Sequence, residues 1–76
     1  MIKKMTINLN KELFDFQCIM SAAEAFKELA EFDISNTDKK YYSVQLKNCV
    51  YSEETTGKEF ENYLIDLQNV VNRNVD

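Results

Sequence analysis

The chain has 76 residues, with 13 acidic and nine basic side chains, a net charge of −4 and no histidine. This length permits one small domain, assigned here to residues 1–76, with a single core of modest size. The acidic balance argues against nucleic-acid binding, because neutralising phosphates requires clustered lysine and arginine. The two cysteines lack the spacing of a metal or redox motif, and no apolar run is long enough to cross a membrane. We therefore expect a cytoplasmic protein with reduced thiols.

The first predicted elements are a strand and a helix. Met5, Ile7 and Leu9 alternate with polar residues, which predicts a half-buried strand. From about residue 16 to residue 31 the apolar side chains change to helical spacing. Asp15 is the expected N-cap of this helix, although a start near Glu12 also fits the pattern.

Two further strands and a second helix follow. Alternation over residues 32–35 predicts a short second strand, and KKYYSVQLKN (residues 39–48) predicts a third, joined to it by the turn SNTDKK. The segment CVYSEETTG (residues 49–57) has no regular pattern and is expected to be a loop. A capping box that starts at Thr56 predicts the beginning of the second helix, whose apolar stripe runs to about Asn72.

The element order β-α-β-β-α predicts an α+β fold with two layers. A right-handed β-α-β crossover places both helices on one face of the sheet, and a hairpin joins the second and third strands. The third strand then lies in the middle of a three-stranded sheet of order 1-3-2, as in a ferredoxin-like fold that lacks its last strand. The first strand is left with a free edge, and the chain has no proline to protect it.

The uncovered face of this sheet is the candidate binding surface. Tyr42, Val44 and Leu46 are expected to point toward the helices, so the alternate residues point to solvent. We expect that face to be polar and mildly basic, and to bind a peptide or a partner protein together with the neighbouring free edge. An ordinary solvated sheet face is the plainer interpretation. The candidate site residues are Lys4, Thr6, Asn8, Tyr41, Ser43, Gln45 and Lys47.

The residue inventory offers no reaction centre, so we expect no enzyme activity, no metal and no cofactor. Histidine, the side chain most used for proton transfer near neutral pH and for metal ligation, is absent. Cys18 lies among apolar residues, and Cys49 is followed by Val50 and Tyr51, which is typical of structural thiols. The adjacent carboxylates of Glu53 and Glu54 are poorly placed to act as a paired acid and base.

Three stretches resemble the HxsD-like family of small proteins: FDFQCIMSAAEAFKELAEFDIS, YYSVQLK and KEFENYLIDLQNVVNR. The shared pattern comprises an aromatic residue at Phe14, the alanine pair at 22–23, Phe26, and the Glu-Phe, Asn, Leu and Asp positions of residues 59–66. The resemblance covers roughly residues 6–73. Such proteins accompany radical-SAM enzymes in His-Xaa-Ser-type peptide-maturation systems. The resemblance implies an accessory protein that acts beside a maturase on a ribosomally made peptide, and it implies no catalytic residues.

Other functions stay open beside this one. Basic residues near the first strand, Lys3, Lys4 and Lys47, favour an acidic leader peptide as the segment bound. A small acidic inhibitor could instead use the carboxylates of the helices to mimic nucleic acid and bind a basic protein. A structural homodimer, joined through the first strand of each copy, is a third possibility.

Overall fold

The computed structural model describes residues 4–73, which form three strands and two helices. The strands are β1 (Lys4–Asn10), β2 (Glu31–Ser35) and β3 (Tyr41–Lys47), and the helices are α1 (Phe16–Ala25) and α2 (Glu53–Arg73). The sheet has the order β1-β3-β2, and β3 pairs antiparallel with both neighbours. The predicted α+β fold and strand order are therefore confirmed. Lys3, expected to lie beside β1, falls outside the described residues.

Both helices pack on the same face of the sheet, where one hydrophobic core forms. Alternation in β1 and β3 directs every second side chain to this face. Phe60 and Leu64 of α2 lie at its centre and have no solvent exposure. The inward-facing positions predicted for β1 and β3 are confirmed. The buried core consists of Ile7, Leu9, Cys18, Ile19, Ala22, Val44, Leu46, Phe60 and Leu64.

The first helix is shorter than its apolar pattern predicts, because it ends at Ala25 rather than near residue 31. The Phe26 N–H donates to the carbonyls of Ala22 and Ala23, each at 3.2 Å, and this closes the last turn. The N–H groups of Leu29 and Ala30 then donate to the Phe26 carbonyl, so the chain turns back toward β2. The apolar residues of this turn keep helical spacing because they also cover the core.

Asp15 occupies the predicted N-cap position of α1 without making the predicted bond. Its backbone is extended, with φ −86° and ψ 142°, but its carboxylate accepts no capping hydrogen bond. The side chain of Gln68 in α2 forms hydrogen bonds with both the backbone N–H and the carboxylate of Asp15. The Gln68 Nε2 donates to Asp15 Oδ2 at 3.1 Å, and Gln68 Oε1 accepts from the Asp15 N–H at 2.9 Å. These part-buried hydrogen bonds, between buried Gln68 and exposed Asp15, tie the start of α1 to α2.

The second helix begins at Glu53 rather than after Thr56, so the predicted loop through residue 57 is wrong in its last part. Ser52 provides the cap. Its Oγ accepts from the Thr55 N–H at 3.1 Å, and its carbonyl accepts from the Thr56 N–H at 3.0 Å. Glu53 and Glu54 then place negative charge in the first turn, where the helix dipole favours it.

Gly57 lies inside α2 and allows the helix to approach β1 closely. A Cβ at this position would lie 2.6 Å from the Sδ of Met5. Thr56 beside it is buried, and its hydroxyl has no hydrogen-bond partner of ordinary geometry among the described residues. The capping box predicted to start at Thr56 therefore lies inside the helix, where Thr56 and Gly57 serve packing.

Candidate functional site

All seven candidate site residues lie on β1 and β3, on the face of the sheet that the helices leave open. Direct cross-strand partners in an antiparallel sheet are about 5 Å apart, so their side chains form one continuous polar strip. The residues on β1 and Tyr41 are exposed, whereas those in the middle of β3 are half-buried by their neighbours. The pairs across the two strands are Lys4–Lys47, Thr6–Gln45, Asn8–Ser43 and Asn10–Tyr41.

Strand β2 adds acidic residues to this face, which the sequence reasoning missed. Glu31 and Asp33 of β2 lie opposite Lys47 and Gln45 of β3. The Lys47 Nζ lies 3.0 Å from Asp33 Oδ2, and this hydrogen bond raises the pKa of Lys47. Two lysines therefore meet two carboxylates on the described open face, and the expected basic character is wrong. The alternation in EFDIS, combined with the pairing of β2 and β3, would have placed both carboxylates on the open face.

The edge of β1 presents unpaired backbone groups at alternate residues. Beyond the end of the β1–β3 ladder, the Lys11 N–H donates to the Lys40 carbonyl at 2.9 Å, in the same register as the strands. Bonded and non-bonded pairs alternate along an antiparallel ladder, so the odd-numbered residues of β1 bond to β3. The backbone groups of Lys4, Thr6 and Asn8 consequently point away from the sheet. Their side chains belong to the open face as well.

The outer edge of β2 also presents unpaired backbone groups at alternate residues. Because the even-numbered residues of β3 bond to β1, its odd-numbered residues bond to β2, at Glu31, Asp33 and Ser35. The backbone groups of Phe32 and Ile34 then point outward. The described sheet therefore has two free edges, each with N–H and C=O groups available to another strand.

Lysines flank both ends of the β1 edge. A concavity of about 350 Å³ lies at its Asn10 end, lined in part by Lys39 and Lys40, both exposed. Lys11 lies there too, but its Nζ donates to the carbonyls of the β2–β3 turn and lies 5.0 Å from the centroid of the Tyr42 ring. Lys4, at the other end, forms no ion pair with any described residue.

The two thiols are not activated. Burial, followed by the charge of Asp15, raises the pKa of Cys18. Burial and the charge of Glu53 raise the pKa of Cys49, and these effects outweigh the opposing influence of the nearby Thr56 hydroxyl. Both thiols stay protonated at neutral pH, the form that is a poor nucleophile. Within residues 4–73, no group of three His, Cys, Asp or Glu side chains is placed to hold a metal ion.

Ion pairs interrupt the carboxylates of the helices. Glu24 Oε1 lies 2.7 Å from Lys27 Nζ, and Glu54 Oε1 lies 3.6 Å from Lys58 Nζ. A nucleic-acid mimic needs an unbroken row of negative charge, so this arrangement does not favour the inhibitor hypothesis. Neither described helix has the length and apolar composition that crossing a membrane requires.

The fold and its edges define a small two-layer α+β domain whose open features are a polar sheet face and two unpaired strands. No family model matches the chain, and no curated protein or solved structure is significantly similar to it. Function is therefore inferred from the geometry of these surfaces and from the resemblance in sequence pattern.

Proposed function

We propose that the protein is a non-catalytic, cytoplasmic binding protein that takes up an extended segment of another polypeptide as a further strand along β1. One observation supports this most: β1 pairs on one side only, and the backbone groups of Lys4, Thr6 and Asn8 point outward. Main-chain hydrogen bonds would supply affinity, and the adjoining open face, from Tyr41 to Lys47, would supply specificity.

The HxsD-like resemblance supports a partner from a peptide-maturation system, either a precursor peptide or its radical-SAM maturase. The lysines at the ends of β1 favour an acidic segment. Lys4, Lys39 and Lys40 supply this attraction in the proposal. Lys47, which the sequence suggested for the same role, is held by Asp33 and contributes less.

A proline at Thr6 tests the strand-addition step. Thr6→Pro removes an outward N–H but no hydrogen bond to β3, and edge strands tolerate proline for this reason. We expect the variant to keep its circular dichroism spectrum and to bind the purified precursor peptide or maturase at least about tenfold more weakly, because the ladder to the guest is broken. Thr6→Ala, which keeps the N–H, is the matched control. Equal binding by wild type and Thr6→Pro would contradict docking at this edge.

Charge substitutions test the preference for an acidic segment. Lys4→Ala should weaken binding and reduce its dependence on salt, whereas Lys47→Ala should weaken it less, because Lys47 lies on the central strand, one interstrand spacing farther from the guest. Titration calorimetry at low and high ionic strength measures both effects. An unchanged affinity of Lys4→Ala at low salt would remove the charged part of the proposal.

The same edge favours one second candidate, a structural homodimer. Two copies of β1 can pair antiparallel about Ile7, which places Lys4 of one copy opposite Asn10 of the other and avoids a clash of like charges. Sedimentation of the isolated protein distinguishes the two. A stable dimer that Thr6→Pro converts to a monomer would favour the structural homodimer over the accessory role.

A further inference from the structure

A groove lies at the other edge of the sheet, between α1 and β2. It has a volume of about 600 Å³. Phe32 and Ile34 of β2 are half-buried along it, and Phe16 and Met20 of α1 form its opposite wall. Those two helix side chains are 40% and 47% exposed, which is unusual for large apolar residues that face a strand.

The groove adjoins backbone groups that can receive a strand. The N–H and C=O groups of Phe32 and Ile34 point outward from β2, as derived above from the register. A strand added there directs every second side chain to the helix side of the sheet, into the space beside Phe16 and Met20. The five residues of β2 make an edge long enough for a guest segment of similar length.

The charges at the rim of the groove specify the chemistry of that guest. Three carboxylates line it, those of Glu24, Glu31 and Asp33, against the single amine of Lys27. Lys27 is paired with Glu24, and Lys47 of β3 is paired with Asp33 at 3.0 Å. Glu31 accepts a hydrogen bond from the neutral Asn48 side chain at 2.8 Å. The rim therefore keeps a net negative charge, carried mainly by Glu31, in contrast to the lysines that flank β1.

We infer that the α1–β2 groove binds an extended basic segment with apolar side chains at alternate positions, which adds to the sheet at β2. Lysine or arginine in the guest meets the carboxylates of the rim, and its apolar side chains fill the space beside Phe16 and Met20. This site goes beyond the proposed function, because it uses the opposite edge, the opposite charge and different residues.

A pair of designed peptides tests the site on the full chain. The first is a short capped peptide of alternating valine and lysine, and the second has glutamate in place of every lysine. Titration of the ¹⁵N-labelled protein with the lysine peptide should shift the amide signals of Phe32 and Ile34 and slow their hydrogen exchange. The glutamate peptide should bind at least about tenfold more weakly, because the rim repels it.

Matched variants locate the binding. Met20→Lys adds a polar, positive side chain to the wall of the groove, and it should weaken binding of the lysine peptide about tenfold. Ile65→Lys is the control. Ile65 is 44% exposed, and it lies about 200° around α2 from Tyr63, whose ring contacts Phe26 on the α1 side. Ile65→Lys and Thr6→Pro should both leave this affinity unchanged.

Four results would overturn the inference: no binding of the lysine peptide, equal affinity for both peptides, signal shifts confined to β1, or no effect of Met20→Lys. A fifth is dilution-dependent shifts at Phe32 and Ile34 without peptide, which would assign the groove to a second copy of the chain. None of these bears on Thr6→Pro and the maturation partner, so the site and the proposed function can fail separately.

Discussion

At the scale of single residues, the contact between Gly57 and Met5 determines how closely α2 approaches β1. Alanine at position 57 would favour the helix by about 1 kcal/mol, but its Cβ would lie 2.6 Å from Met5 Sδ. The end of a methionine side chain is flexible and can move aside. We therefore expect Gly57→Ala to leave the free energy of unfolding within about 1 kcal/mol of wild type, and Gly57→Leu to reduce it by about 1–3 kcal/mol.

Urea denaturation of a double-variant cycle checks this explanation. Met5→Ala should destabilise the wild type more than it destabilises Gly57→Ala, because the added methyl group fills part of the space that the methionine vacates. Strictly additive effects would show that the two side chains do not share this space.

Gln68 is the second single residue with a specific role, since it joins the start of α1 to α2. It is 6% exposed, and it satisfies the Asp15 N–H and one Asp15 carboxylate oxygen. Gln68→Leu keeps an apolar contact but removes both hydrogen bonds to Asp15, which should reduce the free energy of unfolding by about 1–2 kcal/mol. Thermal and urea denaturation measure the loss. Asn69→Leu, at an exposed position on the same helix, should be nearly neutral, and an equal loss in both variants would point to a general effect of the apolar substitution.

At the scale of elements, the turn between β2 and β3 depends on Asp38. Its Oδ2 accepts the N–H groups of Lys40, at 2.7 Å, and Tyr41, at 3.0 Å, and these bonds lower the pKa of Asp38. Since the pKa in the folded protein lies below the unfolded value of about 3.9, the stabilisation is fully present above that value and is lost as the pH falls through the folded pKa.

Asp38→Ala tests the turn and its pH dependence together. The variant should be less stable than wild type at neutral pH, and the difference should shrink as the pH falls below about 4, where the Asp38 carboxylate begins to protonate in the unfolded chain before it does so in the folded protein. Chemical denaturation at several pH values measures it. Asp66→Ala, which removes an exposed carboxylate from α2, is the control for loss of charge. A difference that stays constant down to strongly acid pH would show that the carboxylate does not stabilise the turn.

The strands were predictable because a period of two depends only on which neighbours are apolar, and β1 and β3 alternate cleanly. The ends of the helices were not predictable in this way. Phe26 keeps helical spacing while the chain turns. Thr56 and Glu59 have the spacing of a capping box but lie inside α2, and Gly57 between them serves a contact with distant Met5. The open face was predictable for the same reason as the strands. The charge balance of the open face was not predictable, since the pairing of Asp33 with Lys47 depends on the register between β2 and β3.

At the scale of the whole molecule, β3 separates two free edges of opposite character. The edges lie two interstrand spacings apart, about 10 Å, so a guest strand on β1 would not touch a guest strand on β2. Lysines flank the first edge, and carboxylates line the groove beside the second. Taken together, the two proposals predict that the domain holds two different segments at once, one acidic and one basic.

Independence of the two edges is therefore the prediction that concerns the molecule as a unit. Thr6→Pro should weaken binding of the maturation partner at least about tenfold and leave the affinity for the lysine peptide unchanged within about twofold. Met20→Lys should weaken binding of the lysine peptide about tenfold and leave binding of the maturation partner unchanged. The double variant should show both losses at their single-variant sizes, because the altered residues share no contact. Titrations of each partner against all four proteins measure this. A loss of maturation-partner binding in Met20→Lys would mean that one segment spans both edges, or that the edges are coupled through β3.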